Sequence, residues 1–402
     1  MCGSGALQPV LTLTPTPPAN AFVPPNQAGQ AQPVYPLEVH FCETCFHSQL
    51  LDVVSPEELF SEYVYVSGTS AVFRDHFARY ASVVAQRYPL AAQELVVDIG
   101  SNDGTLLHCF QARGCRVLGV DPAREIAQQA TQGGVETING FFTPTLAETI
   151  REQHGAVALV TANNVFAHID DLAAVAEGVR ALLAPGGVFV FEVSYLVDVL
   201  GKTLFDTIYH EHLSYHSVGP LVRFFEANGM ELIGADRVDS HGGSLRGFAQ
   251  LKGGPNAVAQ SVNDRLAEEK ELGLNRPEAL LRFGDRITIV RDTVVRLLDG
   301  LRDRGAKVAG YGAPAKATTL LYHFGIRPET LEYIVDDSPL KQGLHTPGLH
   351  IPILSATALE TQQVDCLLIL AWNFADSIIG NLKPFRDAGG RFLVPLPEPT
   401  IQ

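Results

Sequence analysis

The stretch TLFDTIYHEHLSYHS, residues 203–217, concentrates side chains that could do acid–base chemistry. It holds three of the 13 histidines of the chain together with a tyrosine and a glutamate: His210, His212, His216, Tyr209 and Glu211. An imidazole titrates near neutral pH, so histidine is the side chain that most readily acts as a general base. A neighbouring glutamate can hold the tautomer of that imidazole, and a tyrosine or a second histidine can donate a hydrogen bond to a developing oxyanion. The stretch therefore predicts a centre that removes a proton from a substrate.

Two other interpretations fit the same residues. Helical zinc sites use the pattern H-E-x-x-H, which places both histidines on one face of a helix. Here His210 and His212 are two residues apart, which suits a strand, and no third ligand follows. A metal site and a purely structural turn therefore stay as the alternatives.

A glycine-containing turn follows the strand ELVVD, in the sequence DIGSNDGTLL. Glycines let the backbone approach a ligand, and an acid at the end of the next strand can bind ribose hydroxyls. The diphosphate fingerprint G-x-G-x-x-G is absent, and a carboxylate in the turn suits a cation such as the amino group and sulfonium of S-adenosylmethionine. The later sequence ALLAPGGVFVFEV, a helix, a Pro-Gly-Gly turn and a strand, is common in methyltransferase folds. We expect the cofactor to contact Asp98, Gly100, Asn102, Asp103, Gly104, Asp121 and Asn163. A βα turn that binds no ligand is the alternative.

The cysteines near the start of the chain predict a metal site. Cys42 and Cys45 form a CxxC pair, which is half of a four-ligand zinc site. Cys2 resembles the end of a second CxxC pair, whose first cysteine would precede the given start. We expect either a start assigned too far downstream or a substitute ligand, His40 or His47. Three free buried cysteines are the alternative.

Composition limits the class of protein. The net charge is −15, the pI is about 5.3 and only 18% of residues are charged. This balance argues against nucleic acid or an anionic membrane as the main partner, because phosphate binding needs clustered Lys and Arg. No apolar run approaches the ~20 residues that span a bilayer, and the first thirty residues lack the features of a signal peptide. We therefore expect a cytoplasmic protein.

The order of predicted elements indicates an α/β protein with three domains. Residues 1–36 are rich in Pro, Ala and Gln and predict an extended segment with little regular structure. Four strands that alternate with helices predict a parallel sheet: ELVVDIG, RVLGVDP, AVALVTANN and GGVFVFEV. Apolar residues at helical spacing predict one long helix from Pro277 to Arg304, and a second αβ block follows it. The predicted domains are residues 1–72, 73–272 and 273–402.

The second αβ block opens on its own glycine loop, KVAGYGAPAKATTLL. Gly310 and Gly312 resemble a dinucleotide fingerprint, with Ala315 in the place of the third glycine and Asp336 at the end of the following strand. By itself this loop would fit NAD.

Together these motifs resemble one family. CxxC, SEYVYVSGTS, DIGSNDGTLL, NNVFAHIDDL, IYHEHLSY, SHGGSLR and YGAPAKATTLL are similar to bacterial nucleotide-sugar C-methyltransferases, such as the C-3′ methyltransferase of the tetronitrose pathway. The resemblance covers the chain from Cys2 onward. It implies a small N-terminal zinc-binding domain, a central class I adenosylmethionine-binding Rossmann-like domain and a C-terminal Rossmann-like αβ domain, with the sugar nucleotide between the last two.

The resemblance also implies roles for residues. His212 would be the base that removes the proton on C-3 of a 4-keto deoxysugar, a proton that the adjacent carbonyl acidifies. Four further side chains would assist it: Tyr209, Glu211, His168 and, from the N-terminal domain, Tyr63. The nucleotide sugar, expected to be dTDP-linked, would contact Asn164, His241, Ser244, Gly312 and Lys316. His210 and His216 would be packed.

Two other functions remain open at this point. One is an NAD-dependent nucleotide-sugar oxidoreductase that uses the second glycine loop. The other is a zinc-anchored interaction protein without catalytic activity.

Overall fold

The computed structural model of the chain describes residues 1–61, 68, 71–240 and 242–402. Tyr63 and His241, two of the predicted site residues, lie outside the described residues. The described part of the chain forms three β-sheets of four, seven and six strands. None of its helices is long and apolar enough to cross a membrane.

The first sheet is antiparallel and has the order β1-β2-β3-β9. Its strands are β1 (Leu7–Thr16), β2 (Tyr35–Cys42), β3 (Ser48–Leu50) and β9 (Ser214–Tyr215). The last of these comes from the histidine-rich stretch: Leu50 N donates to Leu213 O at 2.9 Å, and Ser48 pairs with Tyr215. The predicted acid–base segment is therefore hydrogen-bonded to the N-terminal sheet. The short helix α1 (Pro56–Phe60) follows this sheet.

The prediction of little regular structure in residues 1–36 is wrong for the ten residues of β1. Prolines 9 and 15 concealed this strand, because proline cannot donate a hydrogen bond to a neighbouring strand. The structure places β1 at the edge of its sheet, next to β2, and an edge strand tolerates proline because one of its sides pairs with no strand of that sheet. Apart from one helical turn, Pro25–Gln27, residues 17–34 are irregular as predicted.

Residues 17–34, here called the strap, contact the C-terminal part of the chain. Thr318 Oγ1 donates to Ala19 O at 3.1 Å, and Val23 pairs with His345 through two main-chain hydrogen bonds. Ala19 and Val23 are buried in these contacts. The strap therefore lies between the N-terminal sheet and the C-terminal αβ block.

The central sheet contains the four predicted strands and has the order β10-β11-β8-β7-β4-β5-β6. The strands are β4 (Leu95–Ile99), β5 (Arg116–Asp121), β6 (Thr137–Asn139), β7 (Val157–Asn163), β8 (Leu183–Ser194), β10 (Met230–Val238) and β11 (Ser244–Leu251). The strands from β4 to β8 pair in parallel, whereas β11 is antiparallel to both of its neighbours. Buried apolar residues fill these strands on both faces, because helices cover both sides of a parallel sheet.

Helices connect the strands of the central sheet. They are α2 (Ala71–Arg87), α3 (Thr105–Gln111), α4 (Arg124–Gln132), α5 (Pro144–His154), α6 (Leu172–Leu182), α7 (Leu196–Gly201), α8 (Val218–Ala227) and α9 (Gln260–Leu272). The chain leaves β4 toward β5 on one side and later adds β7 on the other side. Ligands of open α/β sheets bind at such a switch point, beyond the carboxyl ends of the strands.

The predicted long helix is α10 (Glu278–Arg302), and the apolar side chains that indicated it are buried. It leads to a third sheet of order β14-β13-β12-β15-β16-β17. The strands are β12 (Val308–Tyr311), β13 (Ile334–Val335), β14 (Ile353–Leu354), β15 (Cys366–Ile369), β16 (Arg391–Val394) and β17 (Thr400–Ile401), and the helices are α11 (Lys316–Phe324), α12 (Ala358–Thr361), α13 (Ala375–Asn381) and α14 (Lys383–Asp387). The second switch point lies between β12 and β15. The exact domain boundaries stay a prediction.

Candidate active site

The first glycine turn joins β4 to α3 and needs its glycines. Gly100 and Gly104 have φ angles of 68° and 77°, which only glycine adopts without strain. A Cβ on Gly100 would lie 2.3 Å from Cγ2 of Val165, so a side chain would also clash there. The turn therefore packs directly against the segment that follows β7.

Two carboxylates hold the main chain of this turn. Asp121, at the end of β5, accepts hydrogen bonds from the amides of Asn102 (2.8 Å) and Ala123 (2.9 Å). Asp103 accepts from the amide of Gly68 (2.9 Å) and from the hydroxyl of Thr105 (2.7 Å). Both carboxylates therefore hold the main chain of the turn in place, independently of any contact with a ligand.

Buried polar side chains lie at the carboxyl ends of β4 and β7. Burial raises the pKa of Asp98 to about 7, and the hydrogen bond from Thr161 (2.6 Å) opposes the rise. Within the described residues, both amide atoms of Asn163 are buried without a hydrogen-bond partner. Buried amides normally have partners. A ligand with polar groups, such as the predicted cofactor, fits this position.

A buried ion-pair cluster adjoins the same edge and was missed in the sequence. Glu192 pairs with Asn163 in the sheet and is 1% exposed. Its carboxylate accepts from Arg246 Nε at 2.9 Å and lies 3.0 Å from Nε2 of His76. Burial raises the pKa of Glu192, but His76 and Arg246 more than offset this effect, so the net shift is downward. The available signal was a charged residue within each of two apolar strands, GGVFVFEV and SLRGFAQL.

The ring of His212 has a defined tautomer. Its Nδ1 lies 2.7 Å from the carbonyl oxygen of Thr207. Because a carbonyl only accepts, Nδ1 carries the proton, and the acceptor nitrogen of the neutral ring is Nε2. A main-chain carbonyl therefore fixes this tautomer, and the part expected of a neighbouring glutamate stays a prediction.

His212 lies close to the first glycine turn. Its ring stacks on that of His168, with centroids 4.9 Å apart, and the next residue, Leu213, donates its amide to Ala167 O at 2.9 Å. Ala167 and His168 belong to the same segment as Val165, which contacts Gly100. The segment after β7 therefore joins the predicted base to the predicted cofactor turn.

Aromatic and acidic side chains surround His212. The ring centroid of Tyr209 lies 4.1 Å from that of His212. Glu211 is 2% exposed and accepts a hydrogen bond of 2.7 Å from Nδ2 of Asn20, a residue of the strap. The predicted set thus comes together for His212, Tyr209, Glu211 and His168. The role of Asn20 could not be found from the sequence, because the two partners are 191 residues apart.

The other two histidines of the stretch are packed, as expected. His210 is fully buried, with Nε2 3.0 Å from the carbonyl oxygen of Pro36. His216 is also fully buried and stacks on Phe166 with centroids 5.3 Å apart. These contacts do not bring either ring to the face occupied by His212 and His168.

The second glycine loop joins β12 to α11. A Cβ on Gly312 would lie 2.5 Å from Cβ of Ala371, so this glycine is required for close packing between the ends of β12 and β15. Asp336 accepts from the amide of Ala313 at 2.6 Å, and Lys341 Nζ donates to the Ala313 carbonyl at 2.8 Å. Asp336 therefore orders its loop as Asp121 orders the first one.

Lys316 lies at the start of α11. Its Nζ is 3.8 Å from the centroid of the Trp372 ring, donates to Asn373 Oδ1 at 2.8 Å and lies 4.0 Å from Asp206 Oδ2. Burial lowers the pKa of Lys316, and the charge of Asp206 opposes this effect. A partly buried cation beside a glycine loop is suited to an anionic ligand.

Two more predicted substrate residues lie at the ends of central strands. Ser244 is fully buried at the start of β11, with its hydroxyl 3.0 Å from that of Ser240. Asn164 follows β7 with a φ of 55°, and its main-chain N–H donates to Glu192 O at 2.8 Å. Both stay predictions as ligand contacts.

The three predicted metal ligands come together. The Sγ atoms of Cys2, Cys42 and Cys45 all lie within 4.8 Å of one another, and those of Cys2 and Cys42 are 3.6 Å apart. Neither His40 nor His47 belongs to this cluster, so the described residues do not bear out a histidine as the fourth ligand. Burial raises the pKa of Cys45 to about 12. Three convergent thiols fit Zn²⁺, which binds thiolate ligands tetrahedrally.

Comparisons with known proteins agree with this arrangement. Consecutive parts of the chain match three family models: "Putative zinc binding domain" at residues 1–60, "Methyltransferase domain" at 72–234 and "C-methyltransferase C-terminal domain" at 239–397. C-methyltransferase NovU of Streptomyces niveus is 39% identical over 401 residues, which are 100% of this chain and 96% of that protein. A ubiquinone biosynthesis O-methyltransferase of Colwellia psychrerythraea is 26% identical over 156 residues, 36% of this chain and 63% of that protein.

Solved structures resemble the chain only in part. PH0226 protein from Pyrococcus horikoshii has a TM-score of 0.39 and 15% identity and covers 48% of this chain and 97% of its own. Magnesium protoporphyrin IX methyltransferase from Synechocystis, with bound SAM, has a TM-score of 0.33 and 13% identity and covers 44% of this chain and 78% of its own.

The sheet order and the central family match define a class I adenosylmethionine-dependent methyltransferase fold, flanked by an N-terminal zinc-binding-type domain and a C-terminal αβ domain. The chain belongs to the C-methyltransferase family and is an adenosylmethionine-dependent C-methyltransferase. This assignment confirms the predicted fold class and family. It also decides against the oxidoreductase and the non-catalytic interaction protein.

Proposed function

We propose that the enzyme methylates C-3 of a nucleotide-linked 4-keto deoxysugar after removing the proton that the neighbouring carbonyl acidifies. The observation that carries this proposal is the fixed tautomer of His212, whose Nδ1 donates to Thr207 O at 2.7 Å. That bond makes Nε2 the basic nitrogen of a ring that lies against Tyr209 and His168. An imidazole held in one tautomer is the arrangement that proton abstraction from carbon requires.

The first chemical step breaks a C–H bond. His212 Nε2 takes the proton, and the electron pair of that bond moves into the sugar to form an enolate whose negative charge lies on the former keto oxygen. A positioned general base contributes roughly 10²–10⁴ to the rate of such a step.

Two neutral donors lie near the base. Burial raises the pKa of Tyr209 well above its usual value, and the charge of Glu211 raises it further, so the phenol keeps its proton. Burial lowers the pKa of His168 well below its usual value, and His212 lowers it further, so His168 stays neutral with one N–H. Either group can donate to the enolate oxygen without itself ionising, which stabilises the charge that develops there.

The methyl donor fits the edge of the central sheet. Adenosylmethionine, when bound, supplies a methyl group to the enolate carbon, and its sulfur keeps the electrons of the broken C–S bond. The residues that would hold it are Asp98, Gly100, Asn102, Asp103, Gly104, Asp121 and Asn163. The new C–C bond replaces the C–H bond, and the proton on His212 passes to water.

The nucleotide part of the substrate would lie at the second glycine loop. Lys316 would face its diphosphate, with Gly312 beside it, and Asn164, His241 and Ser244 would contact the sugar. Support comes from the partly buried cation at the start of α11 and from the contact of α11 with the histidine-rich stretch, where Thr319 Oγ1 donates to Ile208 O at 2.8 Å. A dTDP-linked sugar satisfies these requirements. We also propose that the three thiols hold a structural Zn²⁺.

A mass-spectrometric assay tests the substrate class. The enzyme and adenosylmethionine are incubated with dTDP-linked 4-keto-6-deoxy sugars that differ in the substituent at C-3, and with the matching 4-hydroxy sugars as controls. We expect methylated product from a keto sugar and none from its 4-hydroxy counterpart, because only the ketone acidifies the neighbouring proton. Methylation of the 4-hydroxy sugars would contradict the proposal.

A further inference from the structure

A buried carboxylate, Asp206, lies between the C-terminal domain and the turn that orients His212. Its side chain is fully buried within the helical turn Phe205–Thr207. The indole Nε1 of Trp372 donates to Asp206 Oδ2 at 2.6 Å, and Nζ of Lys316 lies 4.0 Å from the same oxygen. Both partners belong to the C-terminal αβ block.

These side chains form one cluster. Lys316 lies over the Trp372 ring, with Nζ 3.8 Å from its centroid, and its charge faces that of Asp206. Burial raises the pKa of Asp206, and Lys316, Trp372 and the amides of Asp206 and Thr207 all oppose this rise. The carboxylate of Asp206 is fully buried and the ammonium of Lys316 partly buried, so the opposite charge of Lys316 offsets part of the cost of burying Asp206.

Helix α11 holds the same turn at two further points. The ring of Phe324 stacks on that of Phe205 with centroids 5.0 Å apart. Thr319 Oγ1 donates to the carbonyl of Ile208 at 2.8 Å, in a fully buried hydrogen bond. The position of the turn is therefore set by the C-terminal domain.

This turn contains the carbonyl that fixes the base. Thr207 O accepts a hydrogen bond from the Nδ1–H of His212, so any displacement of the turn weakens the preference for that tautomer. We infer that Asp206 is a positioning residue: held by Trp372 and Lys316, it keeps the Thr207 carbonyl in place and so makes His212 present Nε2 to the substrate. The inference rests on the proposed function, in which His212 is the base. It implies that one cluster of side chains connects Lys316, which follows the second glycine loop, to the turn that orients His212.

Two substitutions in the full-length enzyme test this inference. Asp206→Asn removes the charge, and Trp372→Phe removes the N–H donor and part of the ring area while keeping an aromatic ring beneath Lys316. The control, Ser261→Ala, removes a side-chain hydrogen bond far from this cluster, the one that the Ser261 hydroxyl accepts from Ala235 N at the edge strand β10. The primary readout is the ¹⁵N spectrum of histidine-labelled protein, in which the His212 signals are assigned by their loss in His212→Asn.

We expect His212 to shift from the Nδ1-protonated tautomer toward a mixture in both variants and to keep the wild-type pattern in Ser261→Ala. In the same variants kcat should fall by about 10- to 100-fold, a part of what a general base contributes, while KM for adenosylmethionine stays the same. An unchanged His212 tautomer in both variants would overturn the inference, whatever happens to kcat. The tautomer is read without substrate, so this outcome is separate from a failure of the proposed reaction.

Discussion

The imidazole rings of His168 and His212 stack with their centroids 4.9 Å apart. One ring follows β7 of the central sheet, and the other precedes β9, which pairs with the N-terminal sheet. The pair therefore forms where the methyl-donor edge of the central domain meets the first sheet. Two imidazoles so close cannot readily both carry a charge, and burial together with His212 lowers the pKa of His168 well below its usual value.

Buried neutral histidines make the stability of the fold sensitive to acid. Burial lowers the pKa of His216 from 6.5 to about 4, so below pH 6.5 the unfolded state binds a proton that the folded state does not. This contribution to stability is present above pH 6.5 and is lost as the pH falls toward 4, by about 1.4 kcal/mol per pH unit. Urea denaturation at several pH values between these limits measures the slope.

The variant His216→Phe removes this titrating group and keeps an aromatic ring against Phe166. We expect a shallower dependence of the unfolding free energy on pH for this variant than for the control His154→Gln, which replaces a partly exposed histidine. Equal slopes for the two variants would show that His216 does not titrate between the folded and unfolded states.

The strap contributes to the site through Asn20. Replacing it by leucine leaves the buried carboxylate of Glu211 without the donor that lies 2.7 Å away. We expect Asn20→Leu to lower the unfolding free energy by about 1.5–3 kcal/mol, the range for hydrogen bonds to charged groups, and to slow methyl transfer. The matched control is Gln260→Leu, which removes an exposed amide–carboxylate bond to Asp264 and should change stability by less than about 0.5 kcal/mol. Equal effects of the two substitutions on stability would contradict a structural role for Asn20.

The buried pair of Glu192 and Arg246 should be costly to break. Glu192→Gln leaves a guanidinium that is 6% exposed without its counter-charge, so we expect a loss of about 3–5 kcal/mol in unfolding free energy. The exposed pair of Glu226 and Lys252 provides the control, since Glu226→Gln should have almost no effect. Chemical denaturation compares the two, and a similar small loss for both would show that the buried pair is dispensable.

The cysteine cluster predicts bound metal. We expect purified protein to contain zinc by atomic absorption and expect Cys42→Ser to lose it, because that substitution removes one of three convergent thiols. Cys366→Ser, which alters a buried thiol outside the cluster, should retain the metal. Zinc that is absent from the wild-type protein, or retained in Cys42→Ser, would contradict the site.

The sequence predicted local features better than contacts between distant segments. The four central strands, α10 and both glycine loops were predictable, because each depends on periodicity or on glycine within a short stretch. By contrast, Asn20 meets Glu211 across 191 residues, and Trp372 meets Asp206 across 166. No local pattern encodes such pairs, and they arise only when three sheets pack together. The tautomer of His212 was also beyond prediction, since a main-chain carbonyl gives no signal in a sequence.

Exchange of the C-3 proton with solvent tests most directly whether His212 is the base. The enzyme is incubated in D₂O with its 4-keto sugar nucleotide in the absence of adenosylmethionine, and mass spectrometry follows the deuterium at C-3. The wild-type protein is compared with His212→Asn and with the control His154→Gln, which replaces a partly exposed histidine far along the chain from the candidate site. We predict deuterium incorporation by the wild type and the control and none by His212→Asn, which should still bind adenosylmethionine. Exchange by His212→Asn at the wild-type rate would contradict the assignment of His212 as the base.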